Sequence, residues 1–248
     1  ATSLLLDIIL KEKLNIKKII LSSSRSIYGE GVYSCNNCKG LRINPESRKV
    51  FDLSNHQWDF KCKNCNQLIN PIPTKEIDPI NPASIYAATK LVQEDLIKIT
   101  CTALDIDYAI LRLQNVYGEG QSVKNPYTGI ISIFSNLIKN NKSLSVFEDG
   151  NETRDFVHVK DVVDVMKLCH FSNNRISDVI NVGSGNPTTI LKVATLLRDF
   201  MNSDVDIKIT GEYRLGDIRH NYADIGNLKK KLFFTPNINI EKGLELFI

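Results

Sequence analysis

Apolar residues recur at helical spacing over residues 1–14, 84–103, 128–141, 159–172 and 188–201, so each segment predicts a helix with one face against a core. Between them lie short β-branched runs at 18–23, 107–112, 144–147, 154–159, 178–182 and 205–210, which predict strands. Strands and helices in alternation predict a parallel sheet with crossover helices, an α/β fold. The opening helix and buried strand have no strand before them, so the pattern begins in mid-fold. Residues 31–75 break the alternation: they are rich in Asn, Lys, Cys and Pro, carry little helical period and predict an insertion. No internal repeat or low-complexity tract is visible.

Composition narrows the class without changing the fold. With 248 residues, 42% apolar and 24% charged, the chain can bury a sizeable core, and disordered, collagen-like and coiled-coil readings are excluded. The longest apolar run, Leu4 to Leu10, is interrupted by Asp7 and is far short of the roughly 20 residues that cross a bilayer. No signal peptide is recognisable, so a soluble protein with no membrane partner is expected. A net charge of +3 is too small to predict nucleic-acid binding. Six cysteines, four of them in two Cys-x-x-Cys pairs and two (Cys101 and Cys169) in predicted helices, do not form a disulfide framework and suit a reducing cytoplasm.

Candidate chemistry gathers around three segments. A serine-rich strand end, Ser22-Ser23-Ser24, leads into Ile27-Tyr28-Gly29, and Tyr86 and Lys90 fall four apart at the start of a predicted helix. That spacing puts both on one helix face, where an ammonium can lower the phenol's pKa and make a base near neutral pH. Alone, Tyr-x-x-x-Lys is a weak signal, since an exposed tyrosine and a surface lysine are common on amphipathic helices. Its weight comes from the serine strand upstream and from Leu111-Arg112-Leu113-Gln114-Asn115-Val116-Tyr117-Gly118 on the next predicted strand.

Together these residues resemble the active site of the extended short-chain dehydrogenase/reductases that act on nucleotide sugars, and the resemblance runs from residue 1 to about 235. It implies a Rossmann-like doubly wound parallel sheet, incomplete at its N-terminus, with a smaller α/β substrate domain. Residues 1–112 and 152–182 would form the NAD-binding part, and 113–151 with 183–248 the nucleotide-sugar part. By motif, Tyr86 would be the catalytic base, Lys90 its modulator and ribose ligand, and Ser24 the hydroxyl that orients the reacting sugar oxygen. Ser22 and Val116 would join Tyr86 and Lys90 at the cofactor. Asn115 would hold the sugar diphosphate, Arg154 the pyrophosphate, and Arg214 with Asp217 the nucleotide end, because guanidinium forks match phosphate oxygens. His158 and His220 lie inside these motifs but read as structural histidines. The family analogy also implies a homodimer through the helices at 1–14 and 84–103.

One departure is plain. The family opens with a strand and a Gly-x-x-Gly-x-x-Gly turn for the NAD pyrophosphate, and nothing in residues 1–20 resembles it. The cluster Val182-Gly183-Ser184-Gly185 has the family's late, structural position. Roughly 90 to 100 residues of a nucleotide-binding half are therefore expected to be missing, and the chain alone is expected to bind NAD poorly.

Cys35-x-x-Cys38 and Cys62-x-x-Cys65 are 23 residues apart, close to the spacing of a zinc ribbon, and predict a closed structural zinc site rather than a catalytic one. Two unrelated reduced pairs, or a redox pair, are the alternatives. The insertion joins the serine strand to the tyrosine helix, so it should lie near the rim of the active site. With Tyr28-Gly29-Glu30-Gly31, Pro73-Thr74-Lys75-Glu76, Asn125-Pro126-Tyr127-Thr128-Gly129, Phe147-Glu148-Asp149-Gly150 and Gly216-Asp217-Ile218-Arg219-His220, it narrows the resemblance to 4-epimerases of a dTDP-linked 6-deoxy sugar. A 4,6-dehydratase would need an Asp-Glu pair where Arg25-Ser26 stands. A UDP-sugar 4-epimerase, an NAD-sensing relative and an inactive fragment complete the alternatives.

Overall fold

The computed structural model describes residues 1–38, 42–122 and 129–248. The chain begins with α1 (Thr2–Lys11) and β1 (Lys18–Ser24), then enters the insertion through β2 (Val32–Ser34), β3 (Arg42–Ile43), the short α2 (Val50–Ser54) and β4 (Asn70–Ile72). The core resumes with α3 (Ile85–Leu104), β5 (Asp107–Leu113), β6 (Asn115–Tyr117), α4 (Ile130–Lys139), β7 (Leu144–Val146), β8 (Thr153–His158), α5 (Val159–Phe171) and β9 (Asp178–Val182). It closes with β10 (Pro187–Thr189), α6 (Ile190–Phe200), β11 (Ile207–Ile209), β12 (His220–Asn221), α7 (Gly226–Leu232) and α8 (Ile240–Phe247). No helix among the described residues is long and apolar enough to cross a membrane.

A parallel sheet in the order β1-β5-β9 carries the layers. On one face α1 and α3 bury Leu6, Ile9, Ile97 and Cys101 against Ile110; on the other, α5 and α7 bury Val162, Val165, Leu228 and Leu232 against Leu111 and Ile180. Helices on both faces explain why β5 reads as a nearly continuous apolar run. Register places Ser24 opposite Leu113, so the serine strand and β5 finish together at the carboxyl edge, just before β6, where parallel sheets bind ligands. The outer edge of β1 has no strand partner among the described residues.

The second part of the molecule is built on β8, which pairs in parallel with β6 and β12 and antiparallel with β10. β7 and β11 form a separate parallel pair. Phe134, Ile138, Leu144, Val146, Val193, Leu197 and Leu244 pack α4, α6 and α8 around them. The insertion is a small antiparallel sheet in the order β3-β2-β4. Of the sequence expectations, Asn125–Thr128 of the Asn-Pro-Tyr-Thr-Gly motif and the first residue of the helix predicted at 128–141 lie outside the described residues.

Candidate active site

β1 delivers Ser22, Ser23 and Ser24 to the carboxyl edge, and the chain then turns through one 3-10 turn, Arg25–Tyr28. The Ser24 hydroxyl caps that turn by accepting from the Ser26 amide at 3.2 Å, which leaves its own proton free to donate. Gly29 ends the turn at φ 61, and a Cβ there would stand 2.4 Å from the Asn81 carbonyl, so only glycine fits. Across the edge, Ser84 caps α3 by accepting from the Ala87 amide at 3.1 Å, and Tyr86 sits exposed in the first turn. Lys90, one turn on, donates to the Ser22 carbonyl at 2.8 Å and lies 5.8 Å from the centre of the Tyr86 ring. The Tyr86 hydroxyl has no hydrogen-bond partner among the described residues. Serine strand and tyrosine helix, 62 positions apart in sequence at Ser24 and Tyr86, are thus tied by one ammonium.

Beneath this pair the packing is polar and closed. Glu94, the next residue down the same helix face, is fully buried and accepts from Ser23 Oγ at 2.5 Å and from Arg112 Nη2 at 2.8 Å. Arg112 also donates to the Tyr28 hydroxyl at 2.8 Å, which in turn donates to Asn181 Oδ1 at 2.8 Å. Burial raises the Tyr28 phenol's pKa well above its ordinary value, partly offset by Arg112, so this tyrosine is a neutral hydrogen-bond donor.

Beside the edge opens a cavity of about 390 Å³. One wall is apolar, from α4 (Ile130, Ile133, Phe134, Leu137) with Phe147 and Ile190; the other holds Arg25, Asn115, Glu152, Arg154, Arg214 and Asp217. All four residues expected from sequence to touch the nucleotide sugar therefore line one cavity, although they come from β6, β8 and the loop before β12. Arg214 lies over the Phe147 ring at 5.2 Å. It does not pair with Asp217: that carboxylate turns inward to Arg154 Nη2 at 2.8 Å and to the Ile218 amide at 2.9 Å, and burial is outweighed by Arg154, so its pKa falls. Arg154 itself is buried, and its two Nη atoms donate to the carbonyls of Thr153, Ile218 and Arg219 as well. Arg25, Glu152 and Phe147 were not expected in the cavity. A guanidinium directly after the serine strand was the available signal for the first.

The four cysteine sulfurs of the insertion converge. Cys35 Sγ is 3.4 Å from Cys65 Sγ, Cys62 Sγ is 3.9 Å from Cys38 Sγ, and all four lie within 4.8 Å of one another. The backbone amides of Asn64 and Cys65 lower the Cys62 thiol to about 7. From this knuckle the insertion reaches the cavity through charge. Asp59 accepts from Arg219 Nε at 2.8 Å, Arg48 pairs by charge with Glu148 at 2.7 Å and donates to the Asp217 carbonyl at 3.0 Å, and Glu30 accepts from the Arg219 amide at 2.7 Å. Glu148 and Asp149 are neutralised by the same Arg219 guanidinium, at 3.0 and 2.7 Å.

The family model described as the NAD dependent epimerase/dehydratase family matches residues 62–183. Over 243 residues, 98% of this chain, the sequence is 35% identical to dTDP-L-rhamnose 4-epimerase of Burkholderia thailandensis. The chain belongs to the NAD-dependent epimerase/dehydratase family. Another epimerase relative, a putative UDP-glucose 4-epimerase of Methanocaldococcus jannaschii, is 36% identical over 179 residues, 71% of this chain and 56% of that protein. Among solved structures, UDP-N-acetylglucosamine 4-epimerase of Methanobrevibacter ruminantium M1, in complex with UDP-N-acetylmuramic acid, superposes with a TM-score of 0.73 at 32% identity over 96% of this chain and 63% of that one. UDP-glucose 4-epimerase of Thermotoga maritima with UDP-glucose gives 0.75 at 25% identity over 99% and 66%. The chain spans 65% of the Burkholderia protein's length.

Within this epimerase/dehydratase family member, the loop at Gly183–Gly185 holds an internal carboxylate. Asp155, fully buried, accepts from the amides of Ser184, Gly185 and Ala223 and from Ser184 Oγ, at 2.7 to 3.1 Å. A Cβ on Gly183 would lie 2.4 Å from Asp155 Oδ2, so the glycine admits the carboxylate. Both motif histidines serve local structure: His158 Nδ1 caps α5 by accepting from the Lys160 amide at 3.3 Å, and His220 Nδ1 meets Thr153 Oγ1 at 2.9 Å. The residues that would face the ribose of NAD do fit such a group, since Lys90 uses one of its three donors on Ser22 and Tyr86 uses none. Val116 packs into the core beside Val157 and offers an apolar contact next to Asn115.

Proposed function

We propose that this chain is the catalytic and substrate-binding part of a nucleotide-sugar 4-epimerase that inverts carbon 4 through a transient 4-keto sugar, with dTDP-L-rhamnose as substrate. The observation that carries the reading is that Lys90 beside Tyr86 is tied to the end of the serine strand, and that the residue after Ser24, Arg25, lines a cavity it shares with Arg154, Arg214 and the apolar residues of α4. Residues 1–112 and 152–182 form the cofactor side and 113–151 with 183–248 the substrate side. The choice of sugar rests on the 35% identity to dTDP-L-rhamnose 4-epimerase of Burkholderia thailandensis. A UDP-linked sugar is the second reading, favoured by the Methanocaldococcus and Methanobrevibacter relatives.

Tyr86 takes the proton of the sugar's 4-hydroxyl, and Ser24 Oγ–H holds the same oxygen in place for that transfer. Lys90 stands beside Tyr86, where its charge favours loss of the phenol proton, and is itself fixed by Ser22. NAD, bound along Ser22, Tyr86, Lys90 and Val116, would supply the acceptor and later the donor of the hydride. Tyr86 returns the proton once the sugar has turned over, so no net redox change results. Asn115 and Arg154 hold the diphosphate, and Arg214 with Asp217 frames the nucleotide end. Arg25 and Ser26 provide no carboxyl group to protonate a departing 6-hydroxyl, which disfavours dehydration.

The insertion carries structural zinc on Cys35, Cys38, Cys62 and Cys65. A tetrahedral ion with zinc–sulfur bonds of about 2.3 Å requires sulfurs about 3.8 Å apart, against 3.4 and 3.9 Å here. The functional protein is a homodimer packed through α1 and α3, whose Leu4, Leu5, Val92 and Ile99 are exposed. Six free cysteines suit a reducing, cytoplasmic setting.

The test is turnover of dTDP-L-rhamnose and dTDP-glucose by the full-length protein in deuterated water. An epimerase gives the 4-epimer of dTDP-L-rhamnose with no solvent deuterium at carbon 4. A 4-keto-6-deoxy product from dTDP-glucose, with deuterium at carbon 5, would overturn the assignment.

A further inference from the structure

Arg25 and Arg214 are the two arginines of this cavity that make no ion pair among the described residues, and Arg25 is the one beside the serine strand. Its backbone is fixed by the Ser24 cap, by Gly29 and by the Asn81 amide donating to the Ile27 carbonyl at 2.9 Å, so the side chain leaves a rigid turn. The guanidinium lines the cavity, yet among the described residues it makes no hydrogen bond and no ion pair. The contrast with Arg154 is instructive. Arg154 spends Nη1 and Nη2 on three carbonyls and Asp217, all inside the protein, so only part of its donor capacity is left for the diphosphate. Arg112 and Arg219 are likewise committed to Glu94 and Asp149.

A partly buried guanidinium with five unused donors is costly unless an acceptor arrives. Burial and the neighbouring Arg154 charge lower the Arg25 pKa to about 10, with Asp217, Glu30 and Tyr86 opposing, so it stays charged at neutral pH. A charged guanidinium with no partner of its own at this end of the cavity can take an anion. Direction along the cavity follows from the neighbours. Arg25 follows Ser24 and lies within electrostatic reach of Tyr86, whereas Arg214 is stacked on Phe147 at another point of the wall.

We infer that Arg25 binds the phosphate next to the sugar, the β-phosphate of the nucleoside diphosphate, and so fixes the distance between that phosphate and Tyr86. This deepens the proposed nucleotide-sugar reading and rests on it. Arg25 is then a substrate-binding residue at a position that sequence comparison with dehydratases marks only by the acid it lacks.

The experiment is calorimetric binding of thymidine diphosphate and thymidine monophosphate, with the uridine pair alongside, to the full-length protein carrying NAD, as wild type, Arg25→Ala and Arg25→Lys. Loss of a hydrogen-bonded charge pair should weaken diphosphate binding by about 10- to 100-fold in Arg25→Ala. Monophosphate affinity should stay within about twofold, Arg25→Lys should recover part of the loss, and the melting temperature should not move. Unchanged diphosphate affinity in Arg25→Ala overturns the inference, as does an equal loss for mono- and diphosphate, which would mark a general structural role. If wild type binds neither diphosphate, the nucleotide-sugar reading itself has failed, and the inference falls with it.

Discussion

Arg112 and Glu94 form a buried, two-pronged ion pair, Nη2 to Oε2 at 2.8 Å and Nε to Oε1 at 3.1 Å, one helical turn beyond Lys90. It pins the helix that carries Tyr86 to the strand beside the serine strand. Removing one partner leaves an uncompensated buried charge, which costs about 3–5 kcal/mol. Glu94→Ala should therefore lower the melting temperature by about 10 °C, and Glu94→Gln by less, because the amide keeps part of the hydrogen bonding. Calorimetric melting checks both.

Tyr86→Phe in the full-length protein should lower kcat at least about a hundredfold with little change in KM, since the ring stays and only the proton acceptor goes. Lys90→Met should also lower kcat, because it removes both the charge 5.8 Å from the ring and the tie to Ser22. Steady-state rates on the 4-epimer pair decide. A Tyr86→Phe enzyme with full rate would require another base.

Metal analysis of protein never exposed to chelator should return about one zinc per chain. Cys62→Ser should lose it and lower the melting temperature by about 5 °C or more, since metal binding at a closed site is folding energy. Through Asp59 and Arg48 the same variant should weaken nucleotide-sugar binding while leaving the chemistry of Tyr86 intact, a rise in KM with little change in kcat.

Burial, with Glu148 nearby, raises the Glu152 carboxyl to about 7, only partly offset by Arg154 and Arg219. The native state then holds a proton that the unfolded chain gives up near 4.5, so this group's stabilising contribution is complete below about pH 4.5 and lost as pH rises through 7. Glu152→Gln should melt like wild type near pH 4 and progressively above it up to about pH 8. Paired melting curves across that range supply the measurement, and a difference that shrinks as pH rises contradicts the sign.

The elements that sequence pattern made legible are those whose residues answer to near neighbours. Helical spacing marked α3, α5 and α6, β-branched runs marked β1, β5 and β9, and Tyr86 and Lys90 declared themselves because a helix sets their distance. β10 and β12 are two or three residues long and exist only because β8 offers them an edge, so no local pattern announces them. The cavity was legible as a set of arginines but not as an arrangement. Arg154 turning inward to Ile218 and Arg219 and Arg25 standing free are consequences of contacts across 60 or more positions of sequence. Resemblance nominated the residues, and geometry altered which arginine has a free hand.

The stem of the insertion has a consequence for how the molecule assembles. Val32 faces Ile72 and Ser34 faces Asn70, so the excursion leaves and rejoins the core at one spot. Closing a flexible loop costs about 0.6 kcal/mol more for every doubling of its length, and an excursion whose two ends are already side by side drops out of that count. A knuckle that closes early on its metal would bring the serine strand and the tyrosine helix together as near neighbours in the folding chain. Closing the cysteine knuckle would then help the active site to form as well as to persist.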